Sequence, residues 1–588
     1  LETRLENPAP TLLPWRFAPH AAALILVAAL PGLILFDSVP ARAQQTPNAG
    51  ELLRQLGPTT PPAPLPPTQE IAPPESPTPA KPFAAQARIL VKGFHIVATK
   101  FPESVLQDAV KEYVGRALTF AQLEEAAGKI SAFYRAHDLL ARAYIPRQAV
   151  RNGIVEIDVL EDRLGKVTVD PASQARLDPG VATGIVENRL TGGDLLHPSE
   201  LEEGVAVLNQ LPGVAAHATL VPGATAGQSD AVLKLTDEPL VTGSLQADNA
   251  GERAVGAGRL LGIASVNDAF GRGDQEIAIL AKTQDSTYET LSAAMPVGYS
   301  GLTLGIDASG LTYTVEAPFT ATGAQGYAWT VGATAAYPIM RAPNLTLTAT
   351  ARYDYKRLVD QALDADIDNK AVNVGTLGVN GTLADDRLGG GLNSFALAGT
   401  LGNLDLGANA ANAAADDATA RSGGTYVKLA ANAARLQKLF PKFDLYLSAA
   451  MQVTPQNLDS SEKFTLGGPQ GVRAYPVNEA NGDDGALATA ELRWHVLDQV
   501  RAIGFYDLGW IYQHADPWAG WQPVANQPNQ YTLQGAGIGA TWSPVDWVQI
   551  KATVAHVIGA NSGRDVNGND ADGTHDKLRA WLVGAVSF

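Results

Sequence analysis

Residues Phe464 to Pro476, FTLGGPQGVRAYP, hold a single arginine in a glycine-rich and otherwise uncharged loop. A guanidinium kept in such a setting needs a carboxylate or a dense set of acceptors, unless the loop simply faces water. A second feature lies downstream. In the run Ala502 to Trp510, the residues Ala502, Gly504, Tyr506, Leu508 and Trp510 form one apolar face, so Asp507 shares the opposite face with Phe505 and Gly509. A charged loop residue and a carboxylate set among strand residues are the elements of an ion pair, not of a reaction centre.

Other chemistry-bearing residues lead to less. The chain has no cysteine, which removes disulfides, thiolate zinc sites and thiol catalysis. His137, His217, His495 and His556 are scattered without metal-ligand spacing, and no serine, histidine and aspartate stand in a nucleophile-elbow context. Asp565, Asn567 and Asn569 open a calcium-loop-like run, but Asp570 stands at the sharp-turn glycine position and Asp576 at the bidentate glutamate position, so a solvated loop is expected. No enzyme, no cofactor and no metal site are expected. A net charge of −17 argues against nucleic acid as a partner.

Around the arginine loop the sequence alternates with period two. Tyr327, Trp329, Val331, Ala333, Ala335 and Tyr337 oppose Ala328, Thr330, Gly332, Thr334 and Ala336. Leu345, Leu347, Ala349, Ala351, Tyr353 and Tyr355 oppose Thr346, Thr348, Thr350, Arg352, Asp354 and Lys356, and Phe443 to Val453 behaves likewise. Runs of about 11 residues suit tilted strands crossing a bilayer. Aromatic residues at both ends of the apolar rows point to lipid outside and a wet lumen inside, whereas a soluble sandwich has no reason for such girdles. About 16 such runs between Val241 and Phe588 predict a closed antiparallel barrel with no free edge. The last run, Leu578 to Phe588, ends on an aromatic residue of its apolar face.

The N-terminal part divides further. Arg16 and His20 precede the apolar run Ala21 to Phe36, and Ala41, Arg42 and Ala43 form a small-residue site, so residues 1–43 read as a secretory signal cut between Ala43 and Gln44. Residues 44–57 contain a short helix, AGELLRQL, and 58–85 form a proline-rich extended linker. Residues 86–163 and 164–239 each read as a small α/β module, and 240–588 as the barrel. Thr119 with Gln122, and Ser199 with Glu202, are expected to cap helices. Arg272, Gly273 and Asp274 spell RGD, but strand parity puts them in a turn on the same side as the modules, where no host cell could reach them.

In YVGRALTF, ISAFYRAHDLL, ARAYIPRQ, LNQLPGVAAHATLVPG, DNAGERAVGAGRL, NDAFGRGD, GGPQGVRAYP, FYDLG and LQGAGIGATW, the chain resembles a two-partner-secretion outer-membrane transporter (TpsB type) of the haemolysin secretion/activation family. The resemblance implies a 16-stranded transmembrane barrel in a Gram-negative outer membrane, preceded by two periplasmic POTRA modules; the tethered helix of residues 44–57 is expected to be either a frayed terminus or a plug-type element that docks at a distance. The resemblance also implies that the loop after the eleventh strand folds into the lumen, where Val472, Arg473, Ala474 and Tyr475 form the family's tetrad and Arg473 meets Asp507 of the Phe505, Asp507, Gly509 strand motif. Ala474 stands where the family usually has glycine. Phe588 resembles the terminal assembly signal of outer-membrane proteins. The implied partners are a secreted exoprotein with an N-terminal secretion domain, the lipid bilayer, the barrel-assembly machinery and periplasmic chaperones. A barrel-assembly insertase and a passive porin are the alternatives; the first usually carries more than two modules, and the second needs none.

Overall fold

The computed structural model describes residues 47–56, 88–190, 195–315, 323–342, 344–525 and 527–588. The expected signal with its Ala43/Gln44 cleavage point and the proline-rich linker lie outside the described residues. Sixteen strands form the largest unit. The first eight are β1 (Val241–Asp248), β2 (Arg259–Asn267), β3 (Gln275–Lys282), β4 (Ser286–Pro296), β5 (Thr303–Thr314), β6 (Gln325–Ala342), β7 (Leu345–Ala362) and β8 (Ala365–Asp385). The second eight are β9 (Gly391–Asp405), β10 (Gly424–Phe440), β11 (Phe443–Val453), β12 (Asp484–Leu497), β13 (Val500–Tyr512), β14 (Gln530–Val545), β15 (Val548–Ile558) and β16 (Leu578–Ser587). Each pairs antiparallel with the next, and β16 returns to β1, so the sheet is a closed barrel without an edge.

Closure is brief. Pairing between β1 and β16 runs only from Asp248 opposite Val583 to Ser244 opposite Ser587. Phe588 extends it by exchanging backbone hydrogen bonds with Gly243, at 2.9 and 3.0 Å. Beyond Asp248, the Asn249 carboxamide stands in for a strand, accepting from Leu582 N at 2.8 Å and donating to Ala580 O at 2.9 Å.

The alternation read in the sequence sets the two faces. Tyr327, Trp329 and Val331 are exposed on β6 while Ala328 and Thr330 are buried between them; on β11 Met451 and Val453 are exposed and Gln452 is buried. The exposed row is apolar and therefore lipid-facing, and the buried row is covered from within the lumen.

What covers it is partly a helix. Residues Ala49–Leu56 form α1, as the sequence predicts. Leu52, Leu53 and Leu56 lie on one helical face, and they pack against inward residues of the barrel such as Tyr288, Leu311, Tyr313 and Val372. Ala49 N donates to Asp360 Oδ1 at 2.8 Å, giving an end of the helix a carboxylate acceptor on the wall.

Two modules lead into β1. In the first, Gly93–Val97 runs parallel to the central strand Ile154–Glu161, whose other side takes Ala141–Tyr144; α2 (Glu103–Val110) and α3 (Phe120–Ala136) cover the sheet. Thr119 caps α3 in the expected box, with its hydroxyl accepting from Gln122 N at 3.4 Å and Gln122 Oε1 accepting from Thr119 N at 3.0 Å. In the second module, Gln228–Asp237 lies between Arg163–Val169 and Val214–Pro222. This module also contains a helix the sequence reading missed, α4 (Pro179–Glu187), capped by Asp178 with Pro179 in the first turn. The expected Ser199 cap is corrected. Helix α5 (Pro198–Leu208) starts before it, because proline suits the first helical position, and Ser199 instead binds Asp138 of the first module through its backbone N, at 3.1 Å, and its hydroxyl.

The second module is seated on the barrel's turns. Asp178 N donates to Gly271 O at 2.8 Å, Arg189 Nη2 to Ser300 O at 2.6 Å, and Arg341 Nε to Gln210 Oε1 at 2.8 Å. The RGD turn sits on this same mouth, with Gly273 N held by Asp268 Oδ1 at 2.7 Å and the Asp274 carboxylate accepting from Phe270 N at 3.1 Å.

Candidate functional site: the lumen loop

The chain leaves β11 at Val453 and rejoins the wall at Asp484. The intervening segment folds into the barrel and is held there by charge. Glu462 receives Lys356 Nζ of β7 at 2.7 Å and Lys428 Nζ of β10 at 2.8 Å, while Asp459 receives Lys370 Nζ of β8 at 2.6 Å. All of these carboxylates and ammonium groups are largely buried, which is tolerable only because each is paired. Lys463 pairs with Asp483 at the return point.

Within the loop, Phe464–Leu466 and Ala480–Gly482 form a two-stranded arm. Its tip turns on Gly467, at φ +93°, where an added Cβ would lie 2.2 Å from Pro476 O, so no other residue fits without displacement. Tyr475 N donates to Val472 O at 3.0 Å and Gly468 N to Tyr475 O at 3.0 Å, closing the tetrad into a compact turn. Val472, Ala474 and Tyr475 are fully buried. Ala474 has no positive φ, so alanine is not strained here, and its methyl lies against Gly535 of β14.

Arg473 projects from this turn onto β13. Its Nε donates to Asp507 Oδ2 at 2.8 Å and its Nη2 to Asp507 Oδ1 at 2.7 Å, a bidentate fork, and its backbone N reaches Asp507 Oδ2 at 3.1 Å. Nη1 donates to Glu491 Oε1 of β12 at 2.7 Å. The guanidinium carbon lies 3.5 Å from the centroid of the Phe505 ring. Thr489 Oγ1 donates to Asp507 Oδ1 at 2.9 Å, and Trp581 Nε1 donates to Arg473 O at 2.8 Å. Gly509 makes room for the loop, since a Cβ there would fall 2.6 Å from the Leu466 side chain. The structure thus brings Arg473, Phe505, Asp507 and Gly509 together. Phe588 is elsewhere, at the end of the seam, an exposed residue whose ring lies over Gly243.

Sequence reasoning missed Glu491, Trp581 and the three lysines. Lys356 had a signal, because it shares the polar face of its run with Arg352 and Asp354. Glu491 shares its face of β12 with Arg493, and the two pair at 2.9 Å. Arg54 of α1 was also missed: it donates to Ser460 O at 2.7 Å, Lys463 O at 2.8 Å and Asn481 Oδ1 at 2.7 Å, tying the helix to the loop. In the calcium-like run, Asp565 Oδ1 accepts from Asn567 N and Asn569 N, both at 2.8 Å.

A sixteen-stranded membrane barrel with modules at one mouth and its lumen filled by an inserted loop and helix defines an outer-membrane transporter class. Residues 227–541 match the family described as haemolysin secretion/activation protein ShlB/FhaC/HecB, and residues 88–162 match the ShlB-type POTRA domain. The chain belongs to the haemolysin secretion/activation protein family. It is 25% identical over 576 residues to the heme/hemopexin transporter protein HuxB of Haemophilus influenzae, covering 95% of this chain and 97% of that one. It is 23% identical over 446 residues to the outer membrane transporter CdiB of Escherichia coli, covering 73% of each. The solved structure of CdiB from Escherichia coli superposes with a TM-score of 0.63 at 19% identity, over 88% of this chain and 94% of that one. The barrel therefore lies in the outer membrane with its modules in the periplasm, and the protein is a two-partner-secretion transporter.

Proposed function

We propose that this transporter passes a large unfolded exoprotein, recognised through an N-terminal secretion domain, from an exposed edge of the second module through a lumen that α1 and the Arg473 loop hold shut at rest. The observation that carries this reading is the double filling of the lumen: an open porin has no use for a helix bound to a loop that is itself bound to the wall. Arg473 is the latch. Its fork on Asp507 and its third bond to Glu491 set the loop against β12 and β13, and Arg54 couples the helix to the same loop.

An entry edge is available. Gly223 N donates to Gln228 O and Glu238 N to Gly213 O, so odd-numbered residues of Val214–Pro222 turn their backbone groups to the central strand and even-numbered ones turn outward. Asn209 occupies Ala216, accepting from its N at 2.6 Å and donating to its O at 2.9 Å. The outward groups of Ala218 and Leu220 meet no partner among the described residues and offer main-chain pairing to an extended client, a mode tolerant of sequence. Folding of the client outside would make export irreversible, since the sequence has no nucleotide-binding motif to drive it. The barrel-assembly machinery and periplasmic chaperones would serve its own biogenesis. Coexpression with an exoprotein that carries a matching secretion domain is the test: the exoprotein appears in the medium with the transporter and stays periplasmic without it. Equal amounts outside in both cases would refute the assignment.

A further inference from the structure

The outer wall of β1 to β6 carries two adjoining hollows, one apolar and one polar. The apolar one is an open trough of about 950 Å³ with Gly262, Ala278 and Gly310 along its floor and Leu280, Leu291 and the Phe588 ring at its rims. Leu280 and Leu291 are 51% and 68% exposed. No described residue fills it: a Cβ at Gly262 would come no nearer than 3.9 Å to Leu245, and one at Gly310 no nearer than 3.5 Å to Glu289.

Two residues further toward the extracellular rim, roughly 7 Å along the strands, lies a polar hollow of about 420 Å³ whose lining includes Lys282, Asp285, Thr287, Thr312, Gln325 and Tyr327. Register places Lys282, Thr287, Thr312 and Tyr327 side by side across β3 to β6, and Leu280, Glu289, Gly310 and Trp329 in the row beneath. Lys282 Nζ donates to Thr287 Oγ1 at 3.0 Å, and no carboxylate pairs with it among the described residues. The exposed Glu289 stands on the step between the hollows.

We propose that this wall is a binding site for one phosphorylated, multiply acylated sugar lipid of the outer leaflet, with phosphate on Lys282, sugar hydroxyls on Glu289 and the threonines, and an acyl chain in the trough beside Phe588. An ammonium on a lipid-facing wall without a protein counter-ion is stabilised by an anionic headgroup. Glu289 and Asp285 call for hydroxyl donors and repel a second phosphate, which selects a sugar. The polar row spans three inter-strand spacings, about 14 Å, which is wider than a single phosphodiester headgroup. The trough directly below supplies the matching apolar surface.

The test uses the full chain in mild detergent, titrated with monophosphorylated lipid A, its dephosphorylated form or phosphatidylglycerol, with bound lipids counted by native mass spectrometry. The wild type is expected to retain one lipid A under conditions that strip the other two. Lys282→Ala and Gly310→Leu should each reduce that occupancy at least fivefold while the heat-modifiable barrel band is unchanged. Gly399→Leu, on the exposed wall of β9 with nothing within 4 Å of its added Cβ, should leave it intact. Equal occupancy in all variants, the signature of annular lipid only, would overturn the site; equal retention of phosphatidylglycerol would overturn the sugar-lipid assignment.

Discussion

Trp581 on the last strand donates its indole N–H to the carbonyl oxygen of Arg473, while the side chain of that same arginine is forked onto Asp507 of β13. One residue of the lumen loop is therefore held from two parts of the wall, through its backbone by β16 and through its charge by β13. Arg473→Ala leaves Asp507 and Glu491 buried without their shared cation, a loss of about 3–5 kcal/mol by analogy with other buried pairs. Because no lipid-facing residue changes, the barrel should still insert and show heat-modifiable mobility, while export to the medium falls at least tenfold. Arg473→Lys should recover little, since an ammonium cannot reproduce the planar fork and the stacking on Phe505. Wild-type secretion by Arg473→Ala would show that the latch has no role in transport.

Helix α1 reports on the same loop electrically. Arg54 makes three hydrogen bonds to it, and losing about 2 kcal/mol of such contacts would raise the undocked fraction roughly thirtyfold. In planar bilayers Arg54→Ala should open far more often than the wild type, and deletion of residues 49–56 should leave the larger conductance permanently. If both variants match the wild-type trace, α1 does not limit the pore.

Strand number and face were legible because a lipid-exposed wall must alternate, so that Trp329 and Asp507 each declare their side by parity alone. The Arg473–Asp507 pair followed from resemblance together with that parity. Glu491 and Trp581 were not legible, since their partners arrive from a loop whose path no local pattern encodes. Helix α4 was missed because Asp178 and Pro179 read as a turn as readily as a cap. The Ser199 cap failed for the opposite reason: a good local capping signal lost to Pro198 and to a tertiary partner, Asp138.

The free edge of the second module allows a narrow test. The N–H of Ala218 points away from the sheet, so Ala218→Pro removes a donor that only a client could use and keeps the ladder to Gln228–Asp237. Affinity for the secretion domain should fall at least tenfold, with the far-ultraviolet circular dichroism of the chain unchanged. His217→Pro removes a ladder donor instead and should unfold the module, which separates the two effects. Unaltered affinity in Ala218→Pro would rule out strand addition at this edge.

The first module should lose stability in acid through Glu161. Partial burial opposes its charge, yet donors from Thr99, Tyr134 and Lys100 hold its carboxyl below the ordinary glutamate range, with Tyr134 Oη at 2.6 Å and Lys100 N at 2.7 Å. A depressed folded-state pKa means stability that is complete above the unfolded value, about 4.3, and that drains as pH falls through the folded value. Thermal unfolding of residues 86–163 between pH 7 and pH 3 should therefore show a midpoint that is flat at neutral pH and declines below about pH 4.3. Glu161→Gln keeps one acceptor but has no charge to lose, so it should lower the neutral plateau and flatten the acid limb. Parallel acid limbs in the two proteins would place the titration on another carboxylate and remove Glu161 from the account.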